Sequence, residues 1–379
     1  MLLIVGAILI SILAGIHYFL ARRLHQGLVY FFPRLPFWPI LTVFLLLCSG
    51  FILGFMGSIL PFGNGLKEFF NTMGMHWLGL VIYLLVFTLA AEAVGLILRL
   101  CKCQFRLTGA YAAIRCIFVV TLAVITTVFG LAHVDDIQKV TYEIHVPDKA
   151  DISDMNIVLI SDLHLGALRT EERLPQIVSQ INGLRPDLIC IAGDFFDTDF
   201  GAIAQPEKAI QTLKQLSATY GVYACFGNHD AGDTADAMRD FLSRCGIGLL
   251  EEDYTVIDQR LILVGRADSS PIGDGTERIG IQQILLDAPT DLPVVVMDHN
   301  PANLAEYDSR VDLILSGHTH QGQVFPGNLI TNLMYDVDYG YYRKNATSPQ
   351  IIVTSGISYW GMPMRVGTDC EIVEIRIVP

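Results

Sequence analysis

Four stretches of the chain, residues 1–20, 37–56, 75–98 and 110–132, are apolar almost without interruption, and each holds at most one charged residue. Crossing the hydrocarbon takes about 20 mainly apolar residues, so the pattern predicts four transmembrane helices. The first is read as a retained anchor, because it lacks a basic leader and Arg22-Arg23 follow it rather than precede it. After residue 137 the texture changes. Apolar runs of four to seven residues rich in Ile, Val and Leu alternate with stretches of helical periodicity, such as Glu171–Asn182, Glu207–Thr219 and Thr234–Arg244. That alternation predicts an α/β domain over residues 137–379, joined to the membrane region 1–132 through Ala132–Asp136.

Composition agrees: 52% of residues are hydrophobic and 17% charged, with a mean hydropathy of +0.46, too apolar for an ordinary soluble chain. The net charge of −13 argues against general nucleic-acid binding, but it averages two unlike halves. Residues 1–132 carry eight basic and two acidic residues; the rest carry 17 basic and 36 acidic. Arg22, Arg23 and Arg34 lie in the first loop and Arg99, Lys102 and Arg106 in the third, against only Lys67 in the second. Positive loops stay cytoplasmic, so residues beyond 132 are expected outside the cell membrane. Glu92 and Arg115 fall within spans and are read as a structural pair or as side chains snorkelling to the interface, while Gly65–Met73 is read as a short interfacial segment. No zinc-type cysteine spacing appears, and Cys190 and Cys225, each inside an apolar run, are read as small buried hydrophobes.

The chemistry lies where the apolar runs end. Met155–Ile160 leads into Ser161-Asp162-Leu163-His164, Leu188–Ala192 into Gly193-Asp194-Phe195-Phe196-Asp197, and Val222–Phe226 into Gly227-Asn228-His229-Asp230. Val294–Met297 leads into Asp298-His299-Asn300-Pro301, and Leu313–Leu315 into Ser316-Gly317-His318-Thr319-His320. Ligands of open α/β sheets bind beyond the carboxyl ends of the strands. Five such loops supply a nitrogen and oxygen donor set suited to Mn, Fe or Zn, without thiolates. The spacing of two in Asp162/His164 and His318/His320 would put each pair on one side of extended backbone, and a Gly before Asp194, Asn228 and His318 suits close approach to a ligand. His17, His25, His76, His133 and His145 lack this context and are read as interface or surface residues.

The ordered blocks Asp-x-His, Gly-Asp-x-x-Asp, Gly-Asn-His-Asp, a lone His and Gly-His-x-His resemble the calcineurin-like metallophosphoesterase family over about Lys139 to Val378. The tail Thr354-Ser355-Gly356-Ile357 and Pro363-Met364-Arg365-Val366-Gly367 is similar to its membrane-associated, YkuE-like branch. The resemblance implies a four-layer α/β/β/α sandwich. It also implies that Asp162, His164 and His320 bind one metal, that Asn228, His299 and His318 bind the second, and that Asp194 bridges them. His229 would remain unliganded and, protonated, donate to the substrate, with Asp197 supporting the site from behind. Two divalent transition-metal ions would then clamp a phosphodiester or phosphomonoester for attack by a metal-bridging hydroxide. A lipid-linked or envelope phosphate suits a site held beside a bilayer. The competing class is a non-catalytic, metal-containing membrane receptor or transporter subunit, against which the retention of every ligand position and of His229 argues.

Overall fold

The computed structural model describes residues 2–55, 63–101, 109–146, 155–166 and 168–378. Contacts divide the chain into two units: Met1–Ala132 with Gly361–Met364, and His133–Trp360 with Arg365–Pro379.

The first unit consists of helices α1 (Leu2–Leu28), α2 (Phe37–Phe55), α3 (Asn64–Leu100) and α4 (Gly109–His133). All four are long and apolar enough to cross a membrane. Pro33 and Pro36 separate α1 from α2, since proline cannot continue a helix. Two elements run longer than the apolar pattern suggests. Helix α1 takes in Arg22 and Arg23, and α3 takes in Gly65–Met73 as its own first turns rather than as a separate interfacial segment. No proline interrupts residues 64–100, so the backbone stays helical past the point where the apolar stretch ends. Of the basic residues used to orient the chain, Lys102 and Arg106 lie outside the described residues. Arg115 meets Glu92 at 2.6 Å, and Arg23 meets the same carboxylate at 3.1 Å. His17 departs from the surface reading: it is 2% exposed and its Nε2 accepts a hydrogen bond from the Trp77 indole at 3.0 Å.

The second unit is built on two six-stranded sheets. The first has the order β1-β12-β2-β3-β4-β5, with β1 (Ile137–His145), β2 (Asn156–Ile160), β3 (Leu188–Ala192), β4 (Val222–Cys225), β5 (Gly248–Leu249) and β12 (Cys370–Val378). The second has the order β10-β11-β9-β8-β7-β6, with β6 (Asp253–Ile257), β7 (Leu261–Gly265), β8 (Val294–Met297), β9 (Leu313–Ser316), β10 (Gly340–Tyr342) and β11 (Gln350–Val353). The strand period of two sorts side chains between layers. Ile157, Leu159, Leu188 and Cys190 point into the core between the sheets, where they meet Leu263, Val295, Leu313 and Ile352. Val158, Ile160, Ile189 and Ile191 point the other way, under helices α5 (Leu174–Gly183), α6 (Pro206–Leu213) and α7 (Ala235–Cys245). Beyond the second sheet, Ile281 and Ile284 of α8 (Ile281–Ile284) cover Ile262, Val294 and Val296. Such side chains contribute about 1.5–3 kcal/mol each when fully buried, which is why strands buried on both faces read as unbroken apolar runs. Cys190 and Cys225 are free and buried in this core.

Helix α6 stops at Leu213 although helical periodicity runs on to Thr219. The Asn182 side chain explains the stop: its amide donates to Gln215 O at 2.7 Å and its oxygen accepts from Ser217 N at 3.0 Å. These bonds satisfy backbone groups that further helical turns would otherwise need.

Candidate metal centre

Strands β2, β3 and β4 are neighbours in one sheet, and β8 and β9 are neighbours in the other. Their carboxyl ends bring the five polar loops together. Three groups of side chains present ligand-capable atoms close to one another: Asp162, His164 and His320; Asp194, His299 and His318; and His164, Asp197 and His229. In the first, His320 Nε2 lies 3.3 Å from Asp162 Oδ1 and 3.1 Å from His164 Nε2. In the second, His299 Nε2 lies 3.2 Å from Asp194 Oδ2, and the Asn228 side-chain oxygen lies 2.8 Å from His318 Nδ1. Asp194 Oδ2 is also 3.7 Å from His164 Nε2, so one carboxylate oxygen stands between the groups.

The pairs spaced two apart do not behave as extended backbone would make them. Asp162, His164, His318 and His320 all have positive φ, at 58°, 47°, 70° and 48°. Non-glycine residues seldom adopt this conformation, and it clusters at functional sites. Asp162 and His164 still meet at one point, but His318 and His320 part: His320 joins Asp162, while His318 joins Asp194. Two glycines permit the crowding. A Cβ on Gly317 would overlap Ser161 Oγ and Asp162 Oδ2, and one on Gly227 would overlap Asp194 Oδ1. Because the obstacles at Gly317 are the short side chains of a buried loop, Gly317→Ala should destabilise the domain by about 1–3 kcal/mol, as overpacking does. Thermal unfolding of the full chain checks this; an unchanged midpoint would show that the loop has room.

The donor set fits a metal. Asp162 Oδ1 and His299 Nε2 are buried without a hydrogen-bond partner, a costly state for polar atoms unless something else engages them. His299 Nδ1 donates to Ala192 O at 2.8 Å, leaving Nε2 aimed at Asp194 with its orientation fixed. Burial pushes the Asp194 and Asp162 carboxyls up, but the neighbouring histidines, His299 first for Asp194 and His320 first for Asp162, carry both below the usual carboxylate range. Burial holds His164 down to about 3 and His318 down to about 4. Carboxylates without protons and neutral imidazoles are the states that bind cations. His299 alone moves the other way. Burial would lower it, but Asp194 and then Asp162 hold its proton on, so positive charge already gathers where a cation would supply it.

The remaining candidates flank this centre. His229 is 8% exposed, its backbone N–H donates to Asp194 Oδ1 at 2.9 Å, and its ring stands edge-on to His164 with centroids 5.1 Å apart. Asp197 lies 3.7 Å from His229 Nδ1, beyond hydrogen-bond range. The bond is made by the hydroxyl of Thr198 instead, at 2.7 Å. Asp230 ties the β3 and β4 loops together by accepting from the N–H groups of Phe195, Phe196 and Gly227, and burial together with the charge of Asp194 raises it to about 7.

Three supporting features escape a reading by motif. Thr198 is one. Arg365 is another: fully buried, it donates to the carbonyls of His320 at 2.9 Å, Ser355 at 2.6 Å and Ser358 at 2.6 Å, which fixes the turn that carries His320. Behind His299, Asp298 turns away from the centre to Arg278 at 2.7 Å and the Tyr307 hydroxyl at 2.6 Å. Asp298 and Arg365 stand within blocks quoted from the sequence, but with no partner assigned there; Thr198 left no signal.

The profile of the family described as Calcineurin-like phosphoesterase matches residues 155–322. The chain is 28% identical to a metallophosphoesterase of Helicobacter pylori strain J99 over 61% of its own length, and spans 62% of that relative. It is 28% identical to a Danio rerio transmembrane protein with metallophosphoesterase domain, over 79% of this chain and 74% of that one. It is 31% identical to the Bacillus subtilis metallophosphoesterase YkuE, over 58% of this chain and 78% of that one.

Proposed function

The chain belongs to the calcineurin-like metallophosphoesterase family, and on that premise we propose that it is a membrane-anchored, two-metal phosphoesterase whose catalytic domain lies outside the cell membrane. It is a metal-dependent phosphoric ester hydrolase by family, and its four apolar helices, with a relative named as a transmembrane protein, associate it with a membrane.

The observation that carries the reading is the convergence of two donor groups on one carboxylate oxygen of Asp194. Asp162, His164 and His320 would hold one ion, Asn228, His299 and His318 the other, and Asp194 both. Divalent ions of the Mn, Fe or Zn type would, when bound, draw charge from phosphate oxygens and make water acidic enough to attack near neutral pH. The chain's own residues do the rest. Thr198 engages His229 Nδ1, which leaves Nε2 as the ring nitrogen able to pass a proton to a departing ester oxygen. The Trp360 ring lies 5.7 Å from the His229 ring, tilted to it by 56°. The acidic domain does not deter an anionic ester, because bound ions dominate the local field. Hydrolysis of a chromogenic phosphodiester and a phosphomonoester by the full chain tests the reading: turnover should vanish with a chelator and return with a divalent ion. Turnover indifferent to chelation would overturn it.

What supports the outward orientation is the charge of the connections: Arg22, Arg23 and Arg34 at and after the end of α1 and Arg99 at the end of α3, with Lys102 and Arg106 beyond it, against Lys67 alone between the second and third spans. A cysteine at the exposed position Leu286 (Leu286→Cys, 77% exposed) should therefore react with a membrane-impermeant maleimide on intact cells. Labelling only after lysis would place the domain in the cytoplasm and exclude envelope substrates.

A further inference from the structure

Helix α9 (Gly327–Met334) is amphipathic with its faces reversed. Its polar side is tethered to the protein: the Thr331 hydroxyl donates to Asp338 Oδ2 at 2.7 Å, and the amide of Asn332, itself exposed, approaches Asp338 Oδ1 at 3.4 Å. Its apolar side, Leu329, Ile330, Leu333 and Met334, is 55%, 58%, 87% and 69% exposed. At 100° per residue these four positions occupy one arc of the helix. Phe325, just before the helix, is 43% exposed as well. A surface helix ordinarily buries such a stripe, and a contiguous exposed one marks an interaction site.

Position and charge narrow what covers it. Only Gln323–Pro326 separate the helix from the His320–Gly322 turn, and the ring of its capping residue Tyr335 stands 6.1 Å from that of His318. Trp360, whose ring lies 5.7 Å from that of His229, is 53% exposed. The apolar surface is thus the rim of the metal centre. In a domain with 36 acidic and 17 basic residues, the surface stretch 325–335 contains no Asp, Glu, Lys or Arg up to the exposed Asp336 that follows it, and neither does the surface stretch 360–363. A charge-free window in an acidic surface suits hydrocarbon, because burying a charge in a bilayer is costly. The helix is also fixed to its support: Gly322 packs so closely on Gly327 and Asn328 that a Cβ there would overlap their backbone.

We propose that the exposed face of α9 inserts into the surface of the membrane the chain spans, seating the metal centre at the level of lipid headgroups, so that its substrate is a phosphate ester carried on a lipid. The insertion rests on membrane anchoring alone; the substrate class rests in addition on the hydrolytic reading. The first arm of the test is therefore independent of activity. The full chain, with Cys101→Ser and Cys103→Ser, carries a fluorophore at Leu333→Cys and is reconstituted in vesicles of zwitterionic and anionic phospholipid. The label should lie about 5–10 Å into the interface, as amphipathic helices do, quenched by lipids brominated on the acyl chain and shielded from aqueous iodide. A label at Leu286→Cys should show the opposite. Iodide quenching at Leu333 equal to that at Leu286 overturns the proposal, and so does shielding from both quenchers, which would mean that a second copy of the chain covers the helix. The second arm uses Leu329→Ser with Leu333→Ser. Hydrolysis of a phosphate ester embedded in vesicles should fall at least ~10-fold, while that of a soluble nitrophenyl diester stays unchanged. An equal effect on both, with the label still inserted, removes the lipid substrate and leaves the insertion. Absence of hydrolysis for either ester in the parent chain would instead strike the catalytic reading, and the quenching would still decide the first arm.

Discussion

Asp194→Asn should strip both ions from the chain and lower hydrolysis of a simple phosphate ester at least ~10²-fold, the upper end of what losing even an outer-shell partner costs a metal site. The substitution keeps the shape of the side chain and an oxygen able to accept the His229 N–H, which now donates to Oδ1 at 2.9 Å. What disappears is the charge that faces His299 at 3.2 Å and His164 at 3.7 Å. The fold should survive, because the same charge also raises neighbouring Asp230, and that repulsion is relieved. Elemental analysis beside turnover checks this. A variant that keeps one ion in full would show that Asp194 serves one side only.

His229→Ala should do the reverse: keep both ions while slowing turnover by ~10²–10⁴-fold, as loss of a general acid does. Nothing in the geometry makes His229 necessary to either main donor group. It does share a potential cluster with His164 and Asp197, so ion content must be measured together with rate. KM should change less than kcat, since the interaction is strongest in the transition state. An ester with a nitrophenolate leaving group, which departs without a proton, should recover part of the lost rate. Loss of an ion in proportion to activity would make His229 a ligand.

Much of this organisation can be read in the residues because buried strands and membrane spans each impose a strict pattern. Strands covered on both faces read as apolar runs, and the polar residues that interrupt them, at Asp162, Asp194, Asn228, His299 and His318, stand where each strand leaves the sheet. Whatever depends on backbone torsion or on partners far away in sequence is not legible in that way. The spacing of His318 and His320 suggests a shared target, yet their left-handed φ values direct them to different donor groups. Thr198 in place of Asp197 on His229, and Arg365 behind His320 across 45 residues, are contacts that no local pattern encodes. Helix α9 shows the same limit. Its periodicity is that of a helix with a buried apolar face, yet the Thr331 hydrogen bond to Asp338 tethers the polar face to the protein and the apolar face stays exposed.

The central claim is that one domain holds two ions bridged by Asp194, and counting ions in the full-length protein tests it most directly. Elemental analysis of chain purified under metal-replete conditions should give two divalent transition-metal ions per chain in the parent and none in Asp194→Asn. One ion or none in the parent, with the protein folded and metal in excess, would contradict the account.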